Sequence, residues 1–182
     1  DLAVKNNSKL HILHISTADE IEMIKEARKL NPDICGEVCV HYMWFNCNDY
    51  AEYGSKIKCN PAIKTPEDML AIRKAVKEGT IRVVATDHAP HLPSEKQNNY
   101  TKAPSGIPLV QHSLPLMLEL HKKGVFDLED VVARMSHGPA ECFNIKGRGF
   151  IREGYYADLA IVTLNLPDNS STNSPAYKCG WS

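Results

Sequence analysis

The chain has 182 residues, of which 43% are hydrophobic and 24% are charged, a balance that is typical of a globular domain and unlike that of a disordered one. The formal net charge is −1 and no run of Lys and Arg forms a basic stripe, so nucleic acid is not expected as a partner. No apolar stretch reaches the roughly 20 residues of a membrane-spanning helix, so we expect no membrane contact. No signal-peptide layout is visible, so we expect a cytoplasmic protein. The six cysteines form no C-x-x-C pair, which fits reduced thiols.

Two strands are predicted in the first quarter of the chain. Residues 10–16 form a short apolar run, and a helix should follow it, because Thr17 can cap the helix and Ile21 and Ile24 recur at a three-residue step. Residues 37–43 predict the second strand.

The clearest predicted helix spans residues 66–78. Thr65 is its cap, Pro66 its first residue, and Gly79 follows its end. A third strand is predicted at residues 81–86, which are rich in β-branched side chains. Later elements are helices at residues 108–123 and 127–135 and a strand at residues 157–164.

The order of these elements predicts an α/β fold. Strands that alternate with helices of this size form parallel βα units, either in a doubly wound sheet or in part of a barrel. The character of the chain changes after the Gly-Arg-Gly segment at residues 147–149. We therefore assign residues 1–146 to the parallel unit and residues 147–182 to the start of an appended small β domain.

Side chains that can bind metal lie at the ends of all three predicted βα strands. They are His14, His41, and the cluster of Asp87, His88 and His91. Because the carboxyl ends of strands in a parallel barrel form one rim, these side chains should converge. Imidazole nitrogen and carboxylate oxygen both suit Zn²⁺.

Three short motifs resemble the signature set of dihydroorotases in the amidohydrolase superfamily, of the bacterial class I type. They are Thr-Asp-His-Ala-Pro-His at residues 86–91, His-Ile-Ser-Thr at residues 14–17, and Asn60-Pro61. The resemblance implies a metal-dependent TIM (β/α)₈ barrel, of which this chain supplies about strands six to eight and part of a small β domain. It also implies zinc-dependent, reversible cyclisation of N-carbamoyl-L-aspartate to L-dihydroorotate, a step of de novo pyrimidine biosynthesis.

The same resemblance implies roles around a two-metal zinc centre. His14 matches a metal ligand, and Asp87 matches the aspartate that both contacts a metal and transfers a proton. Glu37 and His41 match residues behind the centre, where they orient the ligands, and the glutamate approaches an additional metal in some relatives.

Four further positions match residues that bind the substrate. Asn60 corresponds to a contact with the pyrimidine ring and His91 to a contact with the carboxylate. Ser105 and Gly106 fall where backbone amides of the family contact the ring, and glycine permits a close backbone approach there.

The chain departs from the family pattern at two positions and lacks part of its ligand set. Val40-His41-Tyr42 stands where the family commonly has two adjacent histidines, and Lys64 stands in place of an arginine. The strand-one His-x-His pair, the bridging ligand and a further histidine would precede Asp1. We therefore expect the chain to be inactive alone and to act with the N-terminal remainder of the same protein, with a homodimer as a further expectation.

Two alternatives remain open at this level. One is a hydantoinase or allantoinase, which shares the fold, although its last-strand motif usually lacks a second histidine such as His91. The other is a catalytically inactive dihydroorotase-like scaffold that stabilises aspartate transcarbamoylase.

Overall fold

The computed structural model describes residues 1–164, and in this part of the chain three parallel strands form one sheet. The strands are β1 Leu10–Ile12, β2 Ile34–Cys39 and β3 Val83–Ala85. Their spatial order is β1-β2-β3, so β2 is central and β1 and β3 form the edges. His11 lies opposite Cys35 in the first pair, and Cys39 lies opposite Ala85 in the second. The predicted parallel βα arrangement is confirmed.

Helices connect and cover these strands. In chain order they are α1 Leu2–Lys5, α2 Ala18–Leu30, α3 Val40–Trp44, α4 Tyr50–Tyr53, α5 Pro66–Glu78, α6 Pro93–Lys96, α7 Ser113–Lys122, α8 Leu128–Val132 and α9 Gly138–Cys142. Short 3₁₀ turns occupy Cys47–Asp49 and Gly54–Ile57, and a π-helical turn at Ala133–His137 joins α8 to α9. Within residues 1–164, no helix has the length and apolar character needed to cross a membrane.

Capping residues set the start of the two long crossover helices. Thr65 Oγ1 accepts a hydrogen bond from the Asp68 amide at 3.1 Å, and the Asp68 carboxylate accepts one from the Thr65 amide in return. Thr17 and Glu20 form the same reciprocal capping box at α2. The predicted helix at residues 66–78 is therefore confirmed at both of its ends.

The core lies between the sheet and these two helices. Ile24 of α2 and Ile72 of α5 are buried, and each fully buried aliphatic side chain of this size contributes about 1.5–3 kcal/mol. Gly36 lets α2 pack closely on β2, since a Cβ there would lie 2.9 Å from the Ile24 Cδ1 atom. α2 therefore packs directly on β2, and α5 packs beside α2.

The second strand ends earlier than predicted. Residues 37–43 were expected to be extended, but β2 ends at Cys39 and Val40–Trp44 forms α3. Since β3 ends at Ala85, opposite Cys39, no described residue extends the ladder beyond Cys39 on that side. The chain beyond Cys39 forms its backbone hydrogen bonds within a helix instead, and the Phe45 amide donates to the His41 carbonyl at 2.9 Å.

The first strand is also shorter than predicted. β1 ends at Ile12, and His14 adopts a left-handed conformation with φ of +40°. The chain then returns to the sheet, where the Ile15 amide donates to the Glu37 carbonyl at 2.9 Å. His14 therefore occupies a sharp bend between two points of contact with β2.

Two predictions for the last third of the chain are corrected. The helix expected at residues 108–123 begins at Ser113, because the residues before it pair with the segment after β3: the Val110 amide donates to His88 Nδ1. The strand expected at residues 157–164 is wrong, since no segment within residues 1–164 pairs with it and the Ile161 side chain is 98% exposed. The rest of the predicted small β domain, residues 165–182, lies outside the described residues.

Candidate functional site

His14 and Asp87 lie at the same edge of the sheet. Each follows the end of its strand by two residues, and β1 and β3 run parallel on either side of β2. Both residues have left-handed backbones, with φ of +40° for His14 and +46° for Asp87. Positive φ is uncommon outside glycine, costs free energy, and clusters at functional sites. The two residues predicted to be metal ligands therefore share an unusual backbone geometry at one edge.

His41 is buried beneath this edge. Like His14 and Asp87, it follows the end of its strand by two residues, as predicted, and it lies there in the first turn of α3. Its side chain is 1% exposed, its ring centroid lies 4.1 Å from that of Tyr42, and neither ring nitrogen has a hydrogen-bond partner among the described residues. Burial, reinforced by the charge of His14, lowers the pKa of His41 to about 3. His41 is therefore neutral and close behind His14.

The buried His41 predicts a loss of stability in mild acid. Because its pKa falls from 6.5 to about 3 on folding, the unfolded chain binds one more proton between these pH values. The free energy of unfolding should therefore fall as the pH drops below about 6.5. Between pH 7 and pH 5, the free energy of unfolding of the wild type should fall by about 2 kcal/mol more than that of His41→Leu, as measured by urea unfolding. Parallel pH curves for the two proteins would contradict the buried, neutral histidine.

Tyr42 and Cys59 hold the turn that carries Asn60. The Tyr42 hydroxyl and the Cys59 thiol both donate to the Pro61 carbonyl, the latter at 3.1 Å. Burial, with a smaller contribution from the charge of Asp87, raises the pKa of Tyr42 and of Cys59, so both groups stay protonated and remain donors. Tyr42, a departure from the family pattern, thus supports the segment predicted to bind the substrate.

The other predicted substrate residues are brought together by backbone pairing. The Ala89 amide donates to the Ile107 carbonyl at 3.2 Å, and the Gly106 amide donates to the Lys58 carbonyl at 2.9 Å. The segments around Asn60, His91 and Ser105 therefore meet directly beside Asp87. His91 Nε2 donates to the Ser105 carbonyl at 2.9 Å, and Nδ1 is the ring nitrogen without a hydrogen-bond partner among residues 1–164.

Gly106 lies where its backbone passes too close to Ala89 for any side chain. Its φ is +138°, and a Cβ there would lie 2.5 Å from the Ala89 carbonyl oxygen, so only glycine fits. Its amide is already used by Lys58, which differs from the expectation that this amide contacts a ring. The Ser105 amide, in contrast, donates to no group among residues 1–164.

Lys96 is a buried residue that links several segments of this region by hydrogen bonds, and its role is not apparent from the sequence. Its side chain is 1% exposed, and Nζ donates to the carbonyls of Lys58 at 3.0 Å, Pro104 at 3.0 Å and Gly106 at 2.9 Å. Burial lowers the pKa of Lys96 to about 8, so it is still mostly protonated at neutral pH and offers three N–H donors to three acceptors. One side chain therefore ties the loop at residues 92–104 to the substrate segments.

Replacing Lys96 by Met should release this loop. The change keeps the length of the side chain but removes the donor of the Pro104 and Gly106 carbonyls, each at a cost of about 1–3 kcal/mol, whereas the Lys58 carbonyl keeps the Gly106 amide. We expect a loss of roughly 3 kcal/mol or more in the free energy of unfolding and faster proteolysis within residues 92–104. Lys102→Met, at an exposed position of the same loop, is the matched control and should behave like the wild type. Equal protease resistance of the two variants would rule out the anchoring role.

Two further predicted residues have partners away from this edge. Glu37 accepts a hydrogen bond from His11 Nε2 at 2.7 Å, and within the described residues it makes no hydrogen bond to His14 or Asp87. His88, beside Asp87, accepts the Val110 amide at 3.1 Å, which fits the structural role expected for it.

The chain is similar in sequence to a known family and to curated dihydroorotases. Residues 3–178 match the model of the Amidohydrolase family. The dihydroorotase of Endomicrobium trichonymphae is 38% identical over 164 residues, which cover 90% of this chain and 39% of that protein. The dihydroorotase of Wolbachia sp. subsp. Drosophila simulans (strain wRi) is 38% identical over 172 residues, which cover 94% of this chain and 39% of that protein. The chain thus spans about two fifths of the length of these curated relatives.

Solved structures share the fold. L-hydantoinase (dihydropyrimidinase) from Arthrobacter aurescens superposes with a TM-score of 0.81 at 27% identity, covering 86% of this chain and 36% of that one. Dihydroorotase in complex with 5-fluoroorotic acid from Saccharomyces cerevisiae superposes with a TM-score of 0.70 at 21% identity, covering 80% of this chain and 41% of that one. The second likeness concerns the fold alone.

Proposed function

Because the chain belongs to the amidohydrolase family, whose members are generally metal-dependent, we propose that it forms one side of the two-metal zinc site of a dihydroorotase. Its three parallel strands are part of the (β/α)₈ barrel of that family. The complete protein would interconvert N-carbamoyl-L-aspartate and L-dihydroorotate in pyrimidine biosynthesis. A cytoplasmic location agrees with the free thiols of Cys35, Cys39, Cys47, Cys59 and Cys142.

This proposal rests on one observation: His14 and Asp87 both have a left-handed backbone and lie at one edge of the sheet. An imidazole nitrogen and a carboxylate oxygen fit the donor preference of Zn²⁺. Two protein ligands are fewer than the three typical of one catalytic zinc, so further ligands would come from the length of the relatives that this chain does not span. Zinc bound there would polarise the ring carbonyl and activate water.

Asp87 would transfer the proton in both directions of the reaction. In ring opening it accepts a proton from the attacking water and delivers it to the amide nitrogen that leaves. In ring closure it takes the proton from that nitrogen and returns it as water departs. Its backbone bend directly precedes the substrate segment at residues 88–91, so the carboxylate is held by the same paired structure as His91.

The substrate would be recognised by the segments that Lys96 ties together. His91 would contact the carboxylate through its Nδ1, and Asn60 would contact the pyrimidine ring. The Ser105 amide is the backbone donor of this region, since the Gly106 amide is used internally. These groups suit a ring that carries both an amide and a carboxylate.

A substrate panel on the full-length protein tests the proposal. We expect ring opening of L-dihydroorotate and ring closure of N-carbamoyl-L-aspartate, with much lower kcat/KM for hydantoin, allantoin and dihydrouracil. Dihydrouracil lacks the carboxylate, so His91→Asn should lower kcat/KM about tenfold or more for dihydroorotate and much less for dihydrouracil. The L-hydantoinase likeness makes hydantoin the critical competitor. Turnover of hydantoin without turnover of dihydroorotate would contradict the dihydroorotase proposal.

A further inference from the structure

A second group of metal-binding side chains lies away from His14 and Asp87. His11 of β1, Cys35 of β2 and Cys142 of α9 each offer one ligand atom, and these atoms all lie within 4.8 Å of one another. The Cys35 and Cys142 sulfurs are 3.5 Å apart, and His11 Nδ1 is 3.1 Å from the Cys35 sulfur. We call these three residues the HCC cluster.

The fold gives each member of the HCC cluster a fixed position. His11 and Cys35 are direct neighbours in the β1–β2 register, so their side chains share one face of the sheet. Cys142 is delivered by α9, which an ion pair between Arg82 and Glu141, with an N–O distance of 2.6 Å, holds against the strand region. The cluster therefore joins three elements that are far apart in sequence.

A hydrogen bond to Glu37 prepares His11 for metal binding. The Glu37 carboxylate lies 2.7 Å from His11 Nε2 and can only accept, so the proton lies on Nε2 and the Nδ1 lone pair faces Cys35. Carboxylates commonly orient metal-binding histidines in this way. The side chain that was expected behind the hydrolytic site thus supports a different group.

We propose that the HCC cluster binds a thiophilic divalent cation, with zinc as the preferred ion. With zinc bonds of about 2.3 Å to sulfur in a tetrahedral arrangement, two thiolates should lie roughly 3.8 Å apart. The observed 3.5 Å requires a shift of only a few tenths of an ångström. Three protein ligands leave a fourth position for water, and the partly exposed His11 and Cys142 give the ion access from solvent.

The bound ion would fasten α9 to the sheet. It would bridge β1, β2 and α9, and metal that binds only the folded state adds to its stability. This role is separate from hydrolysis and does not depend on the proposed activity.

Cobalt substitution in the full-length protein tests the proposal. The two ligands that this chain is proposed to give the hydrolytic site, His14 and Asp87, are nitrogen and oxygen donors, whereas Co²⁺ in the HCC cluster should give sulfur-to-cobalt charge-transfer absorption in the near ultraviolet. Under reducing conditions, we expect this absorption in the wild type, its displacement by Zn²⁺, and its loss in Cys142→Ser and Cys35→Ser. Cys47→Ser, at an exposed cysteine, is the control and should keep it.

A stability measurement provides the second readout. Zn²⁺ should raise the Tm of the wild type and of Cys47→Ser by more than it raises the Tm of Cys142→Ser. Cys142 is partly exposed, so its substitution should leave the fold intact. The proposal is overturned by an absence of charge-transfer absorption in the wild type or by its persistence in Cys142→Ser.

Discussion

Substituting Asn for Asp87 in the full-length protein should reduce kcat by roughly two to four orders of magnitude without unfolding it. The amide matches the carboxylate in shape but cannot accept a proton from water or return one to the leaving nitrogen. Asn also tolerates the left-handed backbone, whose φ is +46° at this position. The loss should therefore appear in turnover rather than in stability.

The measurement combines steady-state kinetics with thermal unfolding. Asp33→Asn is the matched control, because Asp33 is an exposed acid that precedes β2 and lies at the opposite end of the strands. It should keep both kcat and Tm. Near-normal kcat in Asp87→Asn would refute the proton-transfer role, whereas a large drop in its Tm would assign the residue to folding.

Gly138→Ala is expected to cause the largest loss of stability, roughly 4 kcal/mol or more in the free energy of unfolding. A Cβ at this position would lie 1.9 Å from the Arg82 carbonyl oxygen and 3.1 Å from that of Ala133. Both are backbone atoms, so no side-chain rotation can relieve the clash. α9 would have to move away from the strand region, and Cys142 would move with it.

Gly124→Ala provides the comparison for this prediction. Gly124 has a φ of +72°, and within residues 1–164 no atom beyond its two chain neighbours lies within 4 Å of a Cβ built there, so the substitution costs only backbone strain of about 1–2 kcal/mol. Urea unfolding of both variants separates steric overlap from conformational strain. Equal losses in the two variants would show that α9 is not tightly packed.

Helix starts were predictable from sequence because the signals are local. The limits of α5 follow from Thr65, Pro66 and Gly79, three residues that act within one turn of the backbone they cap. The positions of His14 and Asp87 near strand ends were predictable for the same reason. Their left-handed backbones were not, since neither residue type requires positive φ.

Features that depend on distant partners were missed. The apolar residues from Val40 onward resemble a strand, but β2 ends because its neighbour ends at Ala85. Lys96 lies in a polar loop and resembles a solvated side chain, and only the tertiary fold places three carbonyls around it. Cys35 and Cys142 are 107 positions apart, so no spacing rule could pair them.

The open sides of β1 and β3 have a consequence for handling this polypeptide. Within residues 1–164 no further strand pairs with either one, so each presents amide and carbonyl groups that could join a strand of another molecule. Produced as a separate piece, this region should recruit foreign or identical strands and form mixed aggregates. Co-production with the segment that closes the barrel should suppress such self-association.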